Sequence, residues 1–145
     1  MTAIYEVPRS QKIYAFSAQM DPGLRCPSGS TVRFFTTDAL DGQITGEDCL
    51  LENTEPTRYN PATGPVYIEG VKPGDALLIR ILDIVPEDPG ITVTSPGLGV
   101  AGDLVQQGIS KMVAIGGSRL TLNGLSLPKQ PMIGVIGTAP REGAV

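Results

Sequence analysis

The sequence predicts a mostly β fold, a sandwich or barrel-like arrangement of many short strands with little helix. Three observations carry that expectation. Eighteen Gly and thirteen Pro among 145 residues break the chain too often for long helices. Between the breaks lie short runs rich in β-branched and aromatic residues, such as KIYAF at 12–16 and STVRFFTT at 30–37. The breaks themselves are turn formers at close spacing: Pro-Gly, Asp-Gly and Gly-Gly pairs. Short strands separated in this way suit sandwiches and barrels. The length allows one domain with its own core, and residues 1–145 are taken as a single unit, with two very small β lobes as the alternative.

In chain order, Lys12 to Phe16 reads as a first strand. Turns at 21–23 (DPG) and 27–29 (PSG) flank a short extended piece. Ser30 to Thr37 is a second strand, with Val32, Phe34 and Thr36 on one face. The loop 38–46 (DALDGQITG) contains the turn signal Asp41-Gly42. Residues 47–57 suit at most a helical turn or two, since no wide apolar face recurs there. The stretch 60–75 (NPATGPVYIEGVKPGD) organises the middle of the chain. Pro61 and Pro65 hold φ near the turn, Val66 to Ile68 forms a short strand, and 72–75 turns again. The apolar run 76–85 (ALLIRILDIV) follows and reads as a buried strand ended by Pro86. Ile91 to Thr94 is another strand, and the pair Lys111–Ile115 and Arg119–Leu122 reads as a hairpin turned at Gly116-Gly117. The tail 131–140 (PMIGVIGTAP) is apolar again and needs a surface to cover it.

Composition excludes several chemistries. With no histidine, no Ser-His-Asp triad, Cys-His pair or histidine proton shuttle arises from these residues alone. A general base must be Asp, Glu, Lys or a thiolate, and a metal must be held by oxygen ligands or isolated cysteines. A net charge of -4 argues against nucleic-acid binding. No apolar run approaches the ~20 residues of a membrane span, and no signal peptide is evident, so a cytoplasmic setting is expected. Cys26 and Cys49 stand at no metal-like spacing and are read as reduced thiols.

The candidate chemistry sits in loops. Asp38 and Asp41 lie at the mouth of the loop after the second predicted strand, beside Gln43, and Glu69 follows the central turn. Loops meeting at one sheet end bring such acids within reach of each other, as acid–base or metal catalysis requires. The competing reading makes them solvated turn residues. Asn60 and Thr63 add an amide and a hydroxyl on a stiff Pro/Gly platform suited to a small polar ligand. The segment 97–102 (GLGVAG) matches Gly-x-Gly-x-x-Gly, but no strand–turn–helix surrounds it, and it reads as a structural loop.

Several segments together resemble the acetamidase/formamidase family: 12–17 (KIYAFS), 37–44 (TDALDGQI) and 60–70 (NPATGPVYIEG). They are followed in the family's order by 72–76 (KPGDA), 81–84 (ILDI), 96–99 (PGLG) and 131–137 (PMIGVIG). The resemblance covers nearly the whole chain. It implies a mostly β fold and hydrolysis of short aliphatic amides such as formamide and acetamide to carboxylate and ammonia. It also implies, for some members, a divalent metal such as zinc, with no ligand assignable in this chain. Members of the family carry a second half with Gly-Gly-Asn-Met-Asp and Gly-Asp-x-His segments, and neither occurs here. The expected partners are therefore a small amide and either a complementary chain or further copies of this one, with neither nucleic acid nor membrane. Carried over onto the matching motifs, Asp38 and Glu69 are the catalytic candidates, and Gln43, Asn60 and Thr63 the substrate-binding ones. The alternative is an inactive homologue that keeps the β domain for small-molecule binding or as a structural module.

Overall fold

The computed structural model describes residues 3–145, which form two compact units. One contains the described residues up to Asp41 together with Thr57–Arg80 and Gly134–Val145, and the other contains Gly42–Pro56 and Ile81–Ile133. Both are built from short strands, and the only helical pieces among the described residues are single 3-10 turns at Leu51–Asn53, Pro56–Arg58 and Gly102–Leu104. The mostly β expectation holds.

In the first unit, β1 (Ile4–Val7) runs parallel to β4 (Thr31–Phe34), and β3 (Leu24–Pro27) runs parallel to β6 (Val66–Glu69). The short antiparallel pair β2 (Lys12–Ile13) and β5 (Ala62–Thr63) sets Lys12 opposite Thr63. Alternation explains which side chains go inward. Val7 and Cys26 sit at inward positions of their strands and are fully buried, while their neighbours face out. Cross-strand partners exploit the register. Arg33 Nη1 meets the Glu6 carboxylate at 2.9 Å, and the Arg25 guanidinium lies 4.4 Å from the Tyr67 ring centroid. The last residues return to the start of the chain, where Phe16 and Val145 exchange backbone hydrogen bonds at 2.6 and 3.1 Å.

The second unit carries an antiparallel sheet in the order β10–β9–β8–β7, formed by β7 (Gly90–Thr94), β8 (Ile109–Gly116), β9 (Arg119–Leu122) and β10 (Leu125–Pro128). Gly117, at φ 52°, makes the tight connection between β8 and β9, as its position in the predicted hairpin requires. Ile44 and Val113 are its buried apolar side chains, and the buried Ser110 hydroxyl donates to the Cys49 carbonyl. Glu47 anchors the same loop from outside by accepting from Lys111 Nζ at 2.9 Å and the Met112 amide at 3.2 Å.

Several elements differ from their sequence-based expectation. The first predicted strand shortens to Lys12–Ile13, the second to Thr31–Phe34, and the strands Ile4–Val7 and Leu125–Pro128 were not expected. The largest correction concerns 76–85, expected as a buried strand. It has no regular secondary structure, and Leu78, Leu82 and Val85 are 90%, 70% and 81% exposed. The apolar tail 131–140 likewise carries no strand. Strand patterns report what a stretch tends to pair with. Among the described residues nothing offers either stretch a ladder.

Candidate functional site

The strongest polar constellation among the described residues centres on Asp41 in the first unit. Its side chain is fully buried. The turn that delivers it follows from local chemistry. The Asp38 carboxylate accepts the Leu40 amide at 2.7 Å, and the Asp41 amide closes the turn on the Asp38 carbonyl at 3.0 Å. Asp41 then adopts φ 56°, a left-handed conformation that Asp tolerates better than most side chains. This geometry turns its carboxylate inward while Asp38 stays exposed.

Donors converge on both carboxylate oxygens. Lys12 Nζ and the Thr37 hydroxyl, the latter at 3.4 Å, reach Oδ1. The Tyr14 hydroxyl donates to Oδ2 at 2.7 Å, and Arg58 reaches the same oxygen through Nε at 3.0 Å and Nη2 at 2.6 Å. Burial pushes the Asp41 carboxyl upward, but the hydrogen bonds from Lys12, Tyr14 and Arg58 outweigh it and hold the group well below the usual carboxylate range. The hydrogen bond to Asp41 raises Lys12 and Arg58 in turn. Lys12 and Arg58 set two cations against the one buried carboxylate. Their side chains remain 26% and 43% exposed, so both cations reach solvent.

The sequence-predicted residues fall around this node unevenly. The Asn60 amide donates to the Ala39 carbonyl at 2.8 Å, inside the turn that carries Asp38 and Asp41, and Asn60 shares the left-handed conformation at φ 53°. Thr63 pairs with Lys12 in the β2–β5 ladder, and its hydroxyl lies 3.4 Å from the Phe35 carbonyl. Asp38, Asn60 and Thr63 are thus brought to one locus, where two non-glycine residues hold a costly backbone conformation. Glu69 ends β6 opposite Pro27, exposed, and has no hydrogen bond to that locus. Gln43 belongs to the second unit, where its carboxamide accepts the Glu55 amide at 2.8 Å and donates to the Glu55 carbonyl at 3.3 Å. That pairing clamps the loop 43–55.

Sequence reasoning missed Lys12, Tyr14 and Arg58. The available signal was the Lys12-x-Tyr14 spacing, which puts both side chains on one face of an extended segment. Arg58 had no comparable signal. The Gly-rich segment 97–102 closes on itself instead, with the Gly97 amide on the Gly102 carbonyl at 3.1 Å. The second unit's cleft, about 270 Å³ over β7 and β8, is lined largely by Val93, Ile109 and Leu122 beside threonines. Its one lining cation, Lys111, is taken by Glu47.

The donor set does not fit a metal. Among the described residues no three His, Cys, Asp or Glu side chains are grouped so as to hold an ion. Asp41 in particular is saturated by cationic and hydroxyl donors, which would repel one.

Comparison with known proteins identifies the chain. Residues 13–144 match the Acetamidase/Formamidase family. The chain belongs to the acetamidase/formamidase family. Within this family, the crystal structure of an acetamidase from Bacillus halodurans superposes with a TM-score of 0.92 at 40% identity, covering 97% of this chain and 48% of that one. The predicted acetamidase/formamidase from Thermoanaerobacter tengcongensis superposes equally well, TM-score 0.92, at 37% identity over 100% of this chain and 48% of that one. A Schizosaccharomyces pombe protein named provisionally as a formamidase is 29% identical over 125 residues, 79% of this chain and 30% of that protein. The chain therefore spans about half the length of the solved family structures it matches, and less of the curated relative. No helix of the described residues is long and apolar enough to cross a membrane.

Proposed function

We propose that this chain is part of an amide hydrolase of the acetamidase/formamidase type that converts short aliphatic amides, formamide and acetamide, to carboxylate and ammonia, its site being completed by a second half or a partner chain. The observation that carries this reading is family membership over residues 13–144, together with coverage of only 48% of the acetamidase it superposes on. The same two free thiols suit a cytoplasmic setting.

The chemistry sets the roles. An amide carbon is a poor electrophile, so water must be activated, the developing oxyanion stabilised and the leaving amine protonated. The partly exposed cations Lys12 and Arg58 beside Asp41 are the feature of this chain best suited to a developing oxyanion. Asp41 acts by position: it holds Lys12, Tyr14 and Arg58 in place and stays ionised. Asn60 and Thr63, beside the same turn, orient the amide. Asp38 and Glu69 are the carboxylates assigned to water activation. A zinc or other divalent ion would need ligands from outside the described residues, because the acids here do not group around one.

Steady-state kinetics on the assembled enzyme test these roles. Glu69→Gln and Asp38→Asn are expected to lower kcat, and Asn60→Ala to raise KM for acetamide more than it lowers kcat. Wild-type turnover in both Glu69→Gln and Asp38→Asn removes the two acids from the site.

A further inference from the structure

Arg58 turns one edge of its guanidinium to Asp41, where Nε at 3.0 Å and Nη2 at 2.6 Å both donate to Oδ2. A guanidinium has a second edge, formed by Nη1 and the outer N–H of Nη2, with the same fork of two parallel donors. Among the described residues that edge meets no acceptor, and the partly exposed side chain opens it to solvent. Lys12 is anchored on the other oxygen of the same carboxylate and is also partly exposed. Its ammonium carries three N–H groups, of which Asp41 takes one. Sharing one carboxylate, the two cationic heads stand closer together than the ~8 Å screening length of physiological salt. An anion at the open edge of Arg58 is therefore attracted by both.

The site is also pre-ordered. Asp41 is buried, and hydrogen bonds from Tyr14 and Thr37 fix its carboxylate. Arg58 is thus held before any ligand arrives, and a ligand does not have to order that long side chain. The shape of the open edge selects among anions, because two parallel N–H groups match the two oxygens of a planar carboxylate. Thr63 lies opposite Lys12 in the β2–β5 ladder, so the edge stands beside a residue assigned above to orienting the amide.

We propose that the open edge of Arg58, with Lys12 beside it, binds a short monocarboxylate of the formate and acetate class. The inference rests on the amidase reading and deepens it, since such a carboxylate is the product of that reaction. A neutral amide forms no ion pair there, so the product is held more tightly than the substrate and inhibits its own formation.

Nuclear magnetic resonance titration of the 145-residue chain tests this, with sodium formate and sodium acetate replacing sodium chloride at constant ionic strength. The Arg58 Nε–H resonance is expected to move along a saturable curve in the millimolar range, while that of Arg33, paired with Glu6 at the surface, stays in place. Arg58→Lys keeps a cation beside Asp41 but removes the planar fork, and is expected to weaken formate binding about tenfold. Arg33→Lys is expected to leave it unchanged. No saturable movement of Arg58 overturns the proposal, and this arm needs no variant to fold. Wild-type affinity in Arg58→Lys overturns it too, as does phosphate binding more tightly than formate, which marks a general anion patch. In the assembled enzyme acetate is expected to compete with acetamide, raising KM without lowering kcat. Inhibition that lowers kcat and leaves KM unchanged places the carboxylate elsewhere and overturns the proposal. Formate binding at Arg58 in an assembled protein that releases no ammonia refutes the amidase reading alone and supports the carboxylate site.

Discussion

Replacing Asp41 by Asn removes the charge at the centre of the polar node and leaves its shape and backbone intact. Asn tolerates the left-handed φ of 56° as well as Asp does, so the backbone adds no penalty. The side chain bears the whole effect. Asp41 accepts from Lys12 and Thr37 on one oxygen and from Tyr14 and Arg58 on the other. A carboxamide keeps one acceptor and presents an NH2 donor in place of the other. Either orientation therefore sets a donor against Lys12 or against Arg58. Removing one partner of a fully buried ion pair costs about 3–5 kcal/mol when the other charge is stranded. Here Lys12 and Arg58 remain 26% and 43% exposed and can turn to water, which reduces the cost to about 2–3 kcal/mol. For a chain of this size that corresponds to a fall of about 5–10 °C in Tm. Thermal and urea unfolding of the 145-residue chain, each followed by circular dichroism, measure it. A loss below about 0.5 kcal/mol refutes the reasoning, since it means that the convergence on Asp41 contributes no more than an ordinary surface contact.

Stability of the wild-type chain is expected to fall as pH drops below about 4, where the unfolded-state carboxylate titrates while Asp41 in the folded state remains ionised. The sign follows from the lowered folded-state value: the contribution is fully present above that pH and is lost toward the folded value. Asp41→Asn is expected to flatten this part of the profile in urea titrations at stepped pH, and an unchanged slope assigns the acid lability elsewhere. Gly102→Ala is expected to cost about 1–3 kcal/mol, because its Cβ would stand 2.6 Å from the Gly97 carbonyl carbon. Gly116→Ala meets no atom within 4 Å and is expected to be neutral in the same melts, so equal losses at both positions contradict the packing argument. Ser110→Ala is expected to cost about 1 kcal/mol by leaving the Cys49 carbonyl without its buried donor, measured by the urea midpoint.

What the sequence made legible was local. The Gly116-Gly117 connection announced the β8–β9 hairpin, and the Pro/Gly density excluded long helices, because turn chemistry is decided within a few residues. The parallel pairs β1–β4 and β3–β6 were not legible, since nothing local tells Ile4 that its partner is Thr31. For the same reason 76–85 reads as a strand: its pattern encodes a tendency to pair, and the pairing partner is a separate fact. The sequence singles out the loop bearing Asp38 and Asp41, but which carboxylate turns inward depends on φ at Asp41 and on the reach of Arg58 from another segment. Asn60 and Thr63 read only as polar groups on a rigid turn; the hydrogen bonds to Ala39 and Phe35 that bring them beside that loop are long-range contacts with no local signal. The Gln43 carboxamide looked like a ligand-binding group and is engaged by the Glu55 backbone, a contact that depends on a loop closing over a dozen residues.

The most direct test of the amidase reading is ammonia release from formamide and acetamide, measured for the 145-residue chain alone and for its complex with a second half or partner chain, with and without added zinc. The account predicts release by the complex above a Glu69→Gln control and none by the chain alone. Release by the chain alone above that control would show that these residues already hold a complete site, and a fully assembled complex that releases no ammonia from either amide would contradict the function itself.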